Sequence, residues 1–274
     1  MSDRPTPNGG IRASLRGYSS IVFVSAFALV LTLAAVASAL LVGSPQPSAS
    51  SVPDLPPRPA LTRTLELSDD KRRFIDSLYP IVRAENQRVL ELRRHLYRLL
   101  ARLEQGGALS DGDREWLHDM ARRYRAKAET PLEQARALSD RVDIIPAPLA
   151  LAQAALESAW GQSRFAREAN NLFGQWCFEP GCGVVPKRRP AGRTYEVEAF
   201  DNIDAAVRSY LQNLNSHPAY AELRRIRAEA RAAGRQPEGY AMAAGLSKYA
   251  AIGDKYVEHI RGVIDRNGLR AAAD

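Results

Sequence analysis

Cysteine is almost missing from this 274-residue chain: only Cys177 and Cys182 occur, with four residues between them. So few thiols exclude a multi-cysteine zinc module, and the spacing excludes a Cys-x-x-Cys redox pair. Histidine is scarce too. His95, His118, His217 and His259 have no compact spacing with one another or with the cysteines, so no metal site is expected. No Ser-His-Asp or Cys-His order argues for an amidase or peptidase. The net charge of +7 comes without any motif for reading bases or phosphates beside tracts such as Lys71-Arg72-Arg73 and Arg122-Arg123. Nucleic acid is therefore not expected as a partner; an anionic envelope polymer or anionic lipid head groups are simpler counterparts.

Charge is absent altogether from Ile21 to Val42, a run long enough to cross a bilayer as a helix of about 20 residues. Arg12 and Arg16 precede it, and no acidic residue lies between Arg4 and Ile21. The positive-inside tendency places residues 1–20 in the cytoplasm and everything after residue 42 outside. Ala37-Ser38-Ala39 has the small-x-small form of a signal cleavage site. The expectation is a single-pass inner-membrane anchor with the rest on the periplasmic side, or a soluble periplasmic protein after cleavage. In an exported chain two nearby cysteines are candidates for a local disulfide, and Pro180-Gly181 supplies a turn between Cys177 and Cys182. Residues 43–60 are Ser/Pro-rich and read as an extended tether.

Residues 61–142 read as two or three amphipathic helices. Phe74, Leu78, Ile81 and Val82 recur at helical spacing, as do Val89, Leu92, Leu96, Leu99 and Leu103. Pro80 is expected to kink or divide this run, Gly106-Gly107 to end it, and Ser110 or Asp111 to cap the next helix. Glu85, Glu91 and Asp119 read as solvated helix-surface acids.

The chemistry concentrates in residues 143–268, which precede a short tail, 269–274. Leu149 to Gly161 is almost entirely apolar or small and predicts a central helix, with Pro148 in its first turn and Gly161 at its end. Glu157 is the anomaly in it. A carboxylate beside Trp160 on such a helix loses its water unless a partner compensates. Desolvation also raises a carboxyl pKa toward neutrality, which a general acid for a glycosidic oxygen requires. The rival is a structural salt bridge to Arg164 or Arg167. Downstream, Asn170-Asn171 can end a short helix. Asn171, Phe173, Gln175 and Trp176 then offer amides and aromatic faces that suit sugar rings, although Phe173 is equally suited to a core. Thr194 to Phe200 alternates as a half-exposed strand, so Glu196 and Glu198 share a face and either could supply a second carboxylate. Asp201 to Ser216 returns to helix, His217 reads as capping or packing, and Tyr249 stands where its hydroxyl could reach a substrate acetamido group or a buried partner.

Four stretches carry a resemblance: Ala154-Ala155-Leu156-Glu157-Ser158-Ala159-Trp160-Gly161, Asn170-Asn171-Leu172-Phe173-Gly174, Tyr195 to Tyr210 with its Glu-x-Glu-x-Phe, and His217-Pro218-Ala219-Tyr220. Together with Tyr249 and Tyr256 they resemble the glucosaminidase family, which holds the bacterial Bax proteins and the flagellar-rod peptidoglycan hydrolases. The resemblance implies a mainly α, lysozyme-like helical domain with a small β-hairpin lobe. It implies hydrolysis, without metal or organic cofactor, of the β-1,4 bond after N-acetylglucosamine in peptidoglycan glycan strands. Glu157 matches the general acid and Tyr249 the groove aromatic. Glu196 aligns more naturally than Glu198 as the second acid, while Tyr220 looks like packing. A lytic transglycosylase or a muramidase using Glu157, or an inactive wall-binding scaffold, remain alternatives.

Overall fold

The first long amphipathic run folds as one helix. In this computed structural model, which describes Leu55 and residues 67–272, α1 (Asp69–Glu104) continues for 36 residues with Pro80 inside it. The expected division at Pro80 does not occur. Its ring stands on the exposed side, while Ile75, Leu78, Tyr79 and Val82 form an unbroken buried face around it. Tertiary packing of that face holds the helix through the missing hydrogen bond. Gly106, at φ +75°, follows its end. α2 (Asp111–Arg123) opens as expected on Ser110, whose hydroxyl accepts from the Asp113 amide at 3.2 Å. α3 (Pro131–Ser139) opens on a reciprocal capping box between Thr130 and Glu133. The expected membrane or signal helix over 21–42 lies outside the described residues, as does the linker 43–60 apart from Leu55. Among the described residues no helix is long and apolar enough to cross a membrane.

Two apolar cores share α1. Its N-terminal part shares one cluster with α4 (Ala147–Ser158), the short α5 (Arg164–Ala169), α6 (Ile203–Ser216), the short α8 (Gly239–Met242) and α9 (Asp254–Arg266), and this cluster includes Ile75, Val82, Leu151, Val207 and Ile260. Its C-terminal part, through Leu90, Leu96 and Leu100, packs with α2 and α3 in a second cluster closed by Val142 and Ile144. A boundary at residue 143 therefore divides the first core from part of its own packing.

The junction between the cores is ionic and buried. Asp143, 2% exposed, has Arg231 at 3.1 Å, Arg93 at 3.6 Å and Arg227 at 3.9 Å. Arg93 also donates to the carbonyls of Ser139 and Val142. Arg227, on α7 (Ala221–Ala232), donates to Ile144 O and Asn215 Oδ1. Burial alone would raise the Asp143 carboxyl, but the three guanidiniums outweigh it and hold it well below the usual carboxylate range. Glu85, read from the sequence as solvated, is likewise buried at 3% and takes a two-pronged pair from Arg208 of α6 at 2.8 and 2.9 Å. Glu91 and Asp119 are exposed as expected.

The β-lobe is a three-stranded antiparallel sheet in place of the expected hairpin. β3 (Glu196–Glu198) lies between β1 (Trp176–Cys177) and β2 (Gly183–Val184). Cys177 and Cys182 form the expected disulfide. Gly183 approaches the Val197 carbonyl so closely that any Cβ would collide with it.

Candidate functional site

The helix carrying Glu157 ends in an unusual way. α4 is buried from Ala147 through Ala155, and Ala159, Trp160 and Gly161 then take three consecutive left-handed conformations, at φ 50°, 59° and 81°. A non-glycine residue there is strained, so the turn needs outside support. Ser158 supplies it: its buried hydroxyl donates to Ala154 O at 2.6 Å and accepts from the Gly161 amide at 2.7 Å. Trp160 adds an edge-on contact with Phe74 of α1 and lies under Lys71. These contacts fix the last turn, and with it the point where Glu157 leaves the helix.

Glu157 Oε1 accepts a 2.7 Å hydrogen bond from the Tyr256 hydroxyl. The direction is set further back. Tyr210 donates to Gln153 Oε1 at 2.7 Å, and Gln153 Nε2 donates to the Tyr256 oxygen at 3.1 Å. An amide nitrogen can only donate, so Tyr256 accepts from it and turns its own proton toward Glu157. The carboxyl's second oxygen, Oε2, lies against Gly174, where a Cβ would come within 3.3 Å. Gly174 is left-handed at φ +63°, so both its conformation and that close approach favour glycine. Burial raises the Glu157 pKa and the Tyr256 bond partly offsets this. The rival salt bridge is absent: Arg164 pairs with Glu168 at 2.7 Å, and among the described residues no cation pairs with Glu157.

Gly174 opens onto a cleft of about 710 Å³ lined also by Gln175, Trp176, Glu198, Tyr220 and Tyr249. Its opposite wall is the polar face of α6, with Arg208, Ser209, Gln212 and Asn213. Trp176 is 49% exposed and packs edge-on to Tyr195. Tyr249 donates to Phe173 O at 2.7 Å and stacks on Tyr256 with ring centres 5.2 Å apart, so the cleft aromatic and the residue bonding Glu157 form one stack. Tyr220 packs in the first core as expected, 8% exposed, and also borders the cleft, with its ring centre 5.9 Å from that of Tyr249. His217 caps as expected, accepting from the Ala219 amide.

The two strand acids have different surroundings. Glu196 accepts from the amides of Gly181 at 3.1 Å and Gly183 at 2.9 Å, bonds that hold its pKa below the ordinary value. Its carboxylate is thus used within the disulfide-closed loop. Glu198 lines the cleft, and burial raises its pKa.

Two expected ligand contacts are framework instead. Phe173 has no exposed surface and stacks on Tyr210 with ring centres 4.0 Å apart. Asn171 is 2% exposed; its amide donates to the carbonyls of Gln175 and Glu198 and accepts from the Phe173 and Gln175 amides. That hub holds the Gly174 loop against the strand bearing Glu198. Gln175 lines the cleft, but its amide is engaged with Ala206 O and Ser209. The sequence reading missed Gln153. A polar residue four positions before Glu157, on the same face of an otherwise apolar helix, was the available signal. Among the described residues no group of His, Cys, Asp or Glu has the arrangement of a metal site.

The glucosaminidase family model, described as mannosyl-glycoprotein endo-beta-N-acetylglucosaminidase, matches residues 132–269. The chain is also similar to Protein bax of Escherichia coli strain K12, at 32% identity over 226 residues, covering 82% of this chain and 77% of that one. No solved structure matches it.

Proposed function

Since the chain belongs to the glucosaminidase family, we propose that it hydrolyses the β-1,4 bond after N-acetylglucosamine in peptidoglycan, with Glu157 as general acid. The observation carrying this reading is the directed chain from Tyr210 through Gln153 and Tyr256 to Glu157 Oε1. It makes Oε1 an acceptor, so the acid proton belongs on Oε2, beside the cleft-lining Gly174. Desolvation raises the Glu157 pKa above the ordinary carboxyl value and so favours the protonated form that a general acid needs. In the reaction, Glu157 passes it to the bridging oxygen as the bond from that oxygen to the anomeric carbon breaks. Water forms the new bond to that carbon and gives up a proton to a carboxylate. Between the two strand acids, Glu198 is favoured for that role, because Glu196 is engaged by loop amides. Trp176 and Tyr249 offer aromatic surface to sugars. The charge-free segment 21–42 behind Arg12 and Arg16 supports a catalytic domain held on the periplasmic side of the inner membrane, where this polymer lies.

The test is mass spectrometry of fragments released from purified peptidoglycan by the full chain, beside Glu157→Gln. New reducing-end N-acetylglucosamine is expected, with turnover falling by about 10²–10⁴-fold in the variant. Gln keeps the size and can still accept from Tyr256, so the melting temperature should hold. Anhydromuramic ends, reducing-end muramic acid, or bound polymer without fragments would overturn the assignment.

A further inference from the structure

A second groove, of about 750 Å³, runs between α1, α2 and α6, and the two helices α1 and α2 have no part in the catalytic reading. It abuts the catalytic cleft, because Arg208 and Gln212 line both. The connection is reinforced where Gln212 Nε2 donates to Arg123 O. Just beyond α2, Arg125 turns back to line the catalytic cleft itself.

The groove has an apolar floor and a cationic rim. Leu92, Leu211 and Trp116 supply aliphatic and aromatic surface, and the His95 ring holds Trp116 edge-on at 4.4 Å between centres. Arg88 and Arg123 are exposed, and Arg208 is half-exposed. Of the acids in the lining, Glu85 is buried beneath the Arg208 and Arg88 guanidiniums, so it fixes these cations in place. Only Glu91 opposes them from an exposed position.

We propose that this groove continues the substrate track of the catalytic cleft and holds the anionic stem peptide carried by the glycan strand. The inference rests on peptidoglycan being the substrate. Sugars alone would present hydroxyls and acetamides; free peptide carboxylates are what an arginine rim beside an apolar floor selects. The helices before residue 132 then act as part of the binding surface, lengthening the stretch of polymer engaged at once.

The test measures equilibrium binding of labelled glycan strands, with stem peptides intact or enzymatically removed, to the full chain carrying Glu157→Gln. A second protein adds Arg88→Ala and Arg123→Ala. Both side chains are exposed, and neither lines the catalytic cleft. Losing two exposed ionic contacts should weaken binding of peptide-bearing strands about fivefold at low salt. Binding of peptide-free strands should not change, and the difference should shrink as salt rises. Equal affinity of the two proteins for peptide-bearing strands, or an equal loss on both kinds of strand, overturns the proposal. Because the assay reads binding by an inactivated chain, it stands apart from whether the unmodified protein cleaves the polymer.

Discussion

Tyr256 bonds to Glu157 with its hydroxyl proton and to Gln153 with its oxygen, so a single phenol joins the candidate acid to the buried interior. The Tyr256→Phe change removes both bonds and leaves the Gln153 Nε2 donor buried without an acceptor. Stability should fall by about 1–3 kcal/mol. The Tyr256 bond lowers the Glu157 pKa against the upward push of burial, so its loss raises that pKa further. An acid that must be protonated then works to higher pH, and the alkaline limb of the pH–rate profile should move upward. A limb that stays in place, or moves down, would show that Tyr256 does not tune Glu157.

Glu198 and Glu196 separate by kinetic signature. Glu198→Gln should lower kcat about 100-fold with the fold intact, because in the proposed reaction this cleft-lining carboxylate takes the proton from water. Glu196→Gln should act through KM, since it loosens the loop that shapes one end of the cleft. Hydrogen exchange at the Gly181 and Gly183 amides should quicken in the second variant only. The opposite split of kcat and KM would return the second-acid role to Glu196.

Asp143→Asn keeps the side chain's size but leaves Arg93, Arg227 and Arg231 without their counter-charge. The expected cost is about 3–5 kcal/mol, read as a lower urea midpoint. Because the Asp143 pKa is lower in the folded state than in the unfolded chain, its stabilisation is present above the ordinary carboxylate range. That contribution is lost as pH falls through the folded value. The parent protein should therefore lose stability in acid with a steeper slope than the variant.

Replacing Cys177 and Cys182 with serine opens a short loop, for which chain entropy alone gives about 2 kcal/mol. Neither cysteine belongs to either core, so the cost should fall on local opening of the β-lobe. The helical melt should move by a few degrees at most while the Gly181 and Gly183 amides lose protection. A large drop in the global transition would show that the lobe and the cores unfold together.

Much of this arrangement was legible in the sequence where the signal is local. The cap at Ser110-Asp111, the helix end at Asn170-Asn171, the helix carrying Glu157 and the closely spaced disulfide all depend on residues near one another in the chain. Glu157 stood out because an acid on an alanine-rich apolar helix has few structural explanations. What escaped depends on distant partners. Glu85 reads as a surface acid until Arg208, 123 positions later, comes to lie over it. Glu196 and Glu198 are equivalent by strand period, and only the arrival of the Gly181 and Gly183 amides distinguishes them. Pro80 suggests a break because propensity is local, whereas the buried face that overrides it is assembled from helices more than sixty residues away.

The sharing of α1 between two cores also has a consequence for synthesis. Chains emerge from the ribosome N-terminus first, so Ile75, Leu78 and Val82 are made well before Leu151 and Val207, which lie on the helices packed against theirs. The C-terminal part of the same helix can settle with α2 and α3 early, whereas its beginning must wait, with its oily stripe uncovered, for most of the remaining chain. Nascent molecules halted short of residue 203 would carry that stripe as a handle for holdase chaperones, and the newborn protein would be most vulnerable to clumping during that interval.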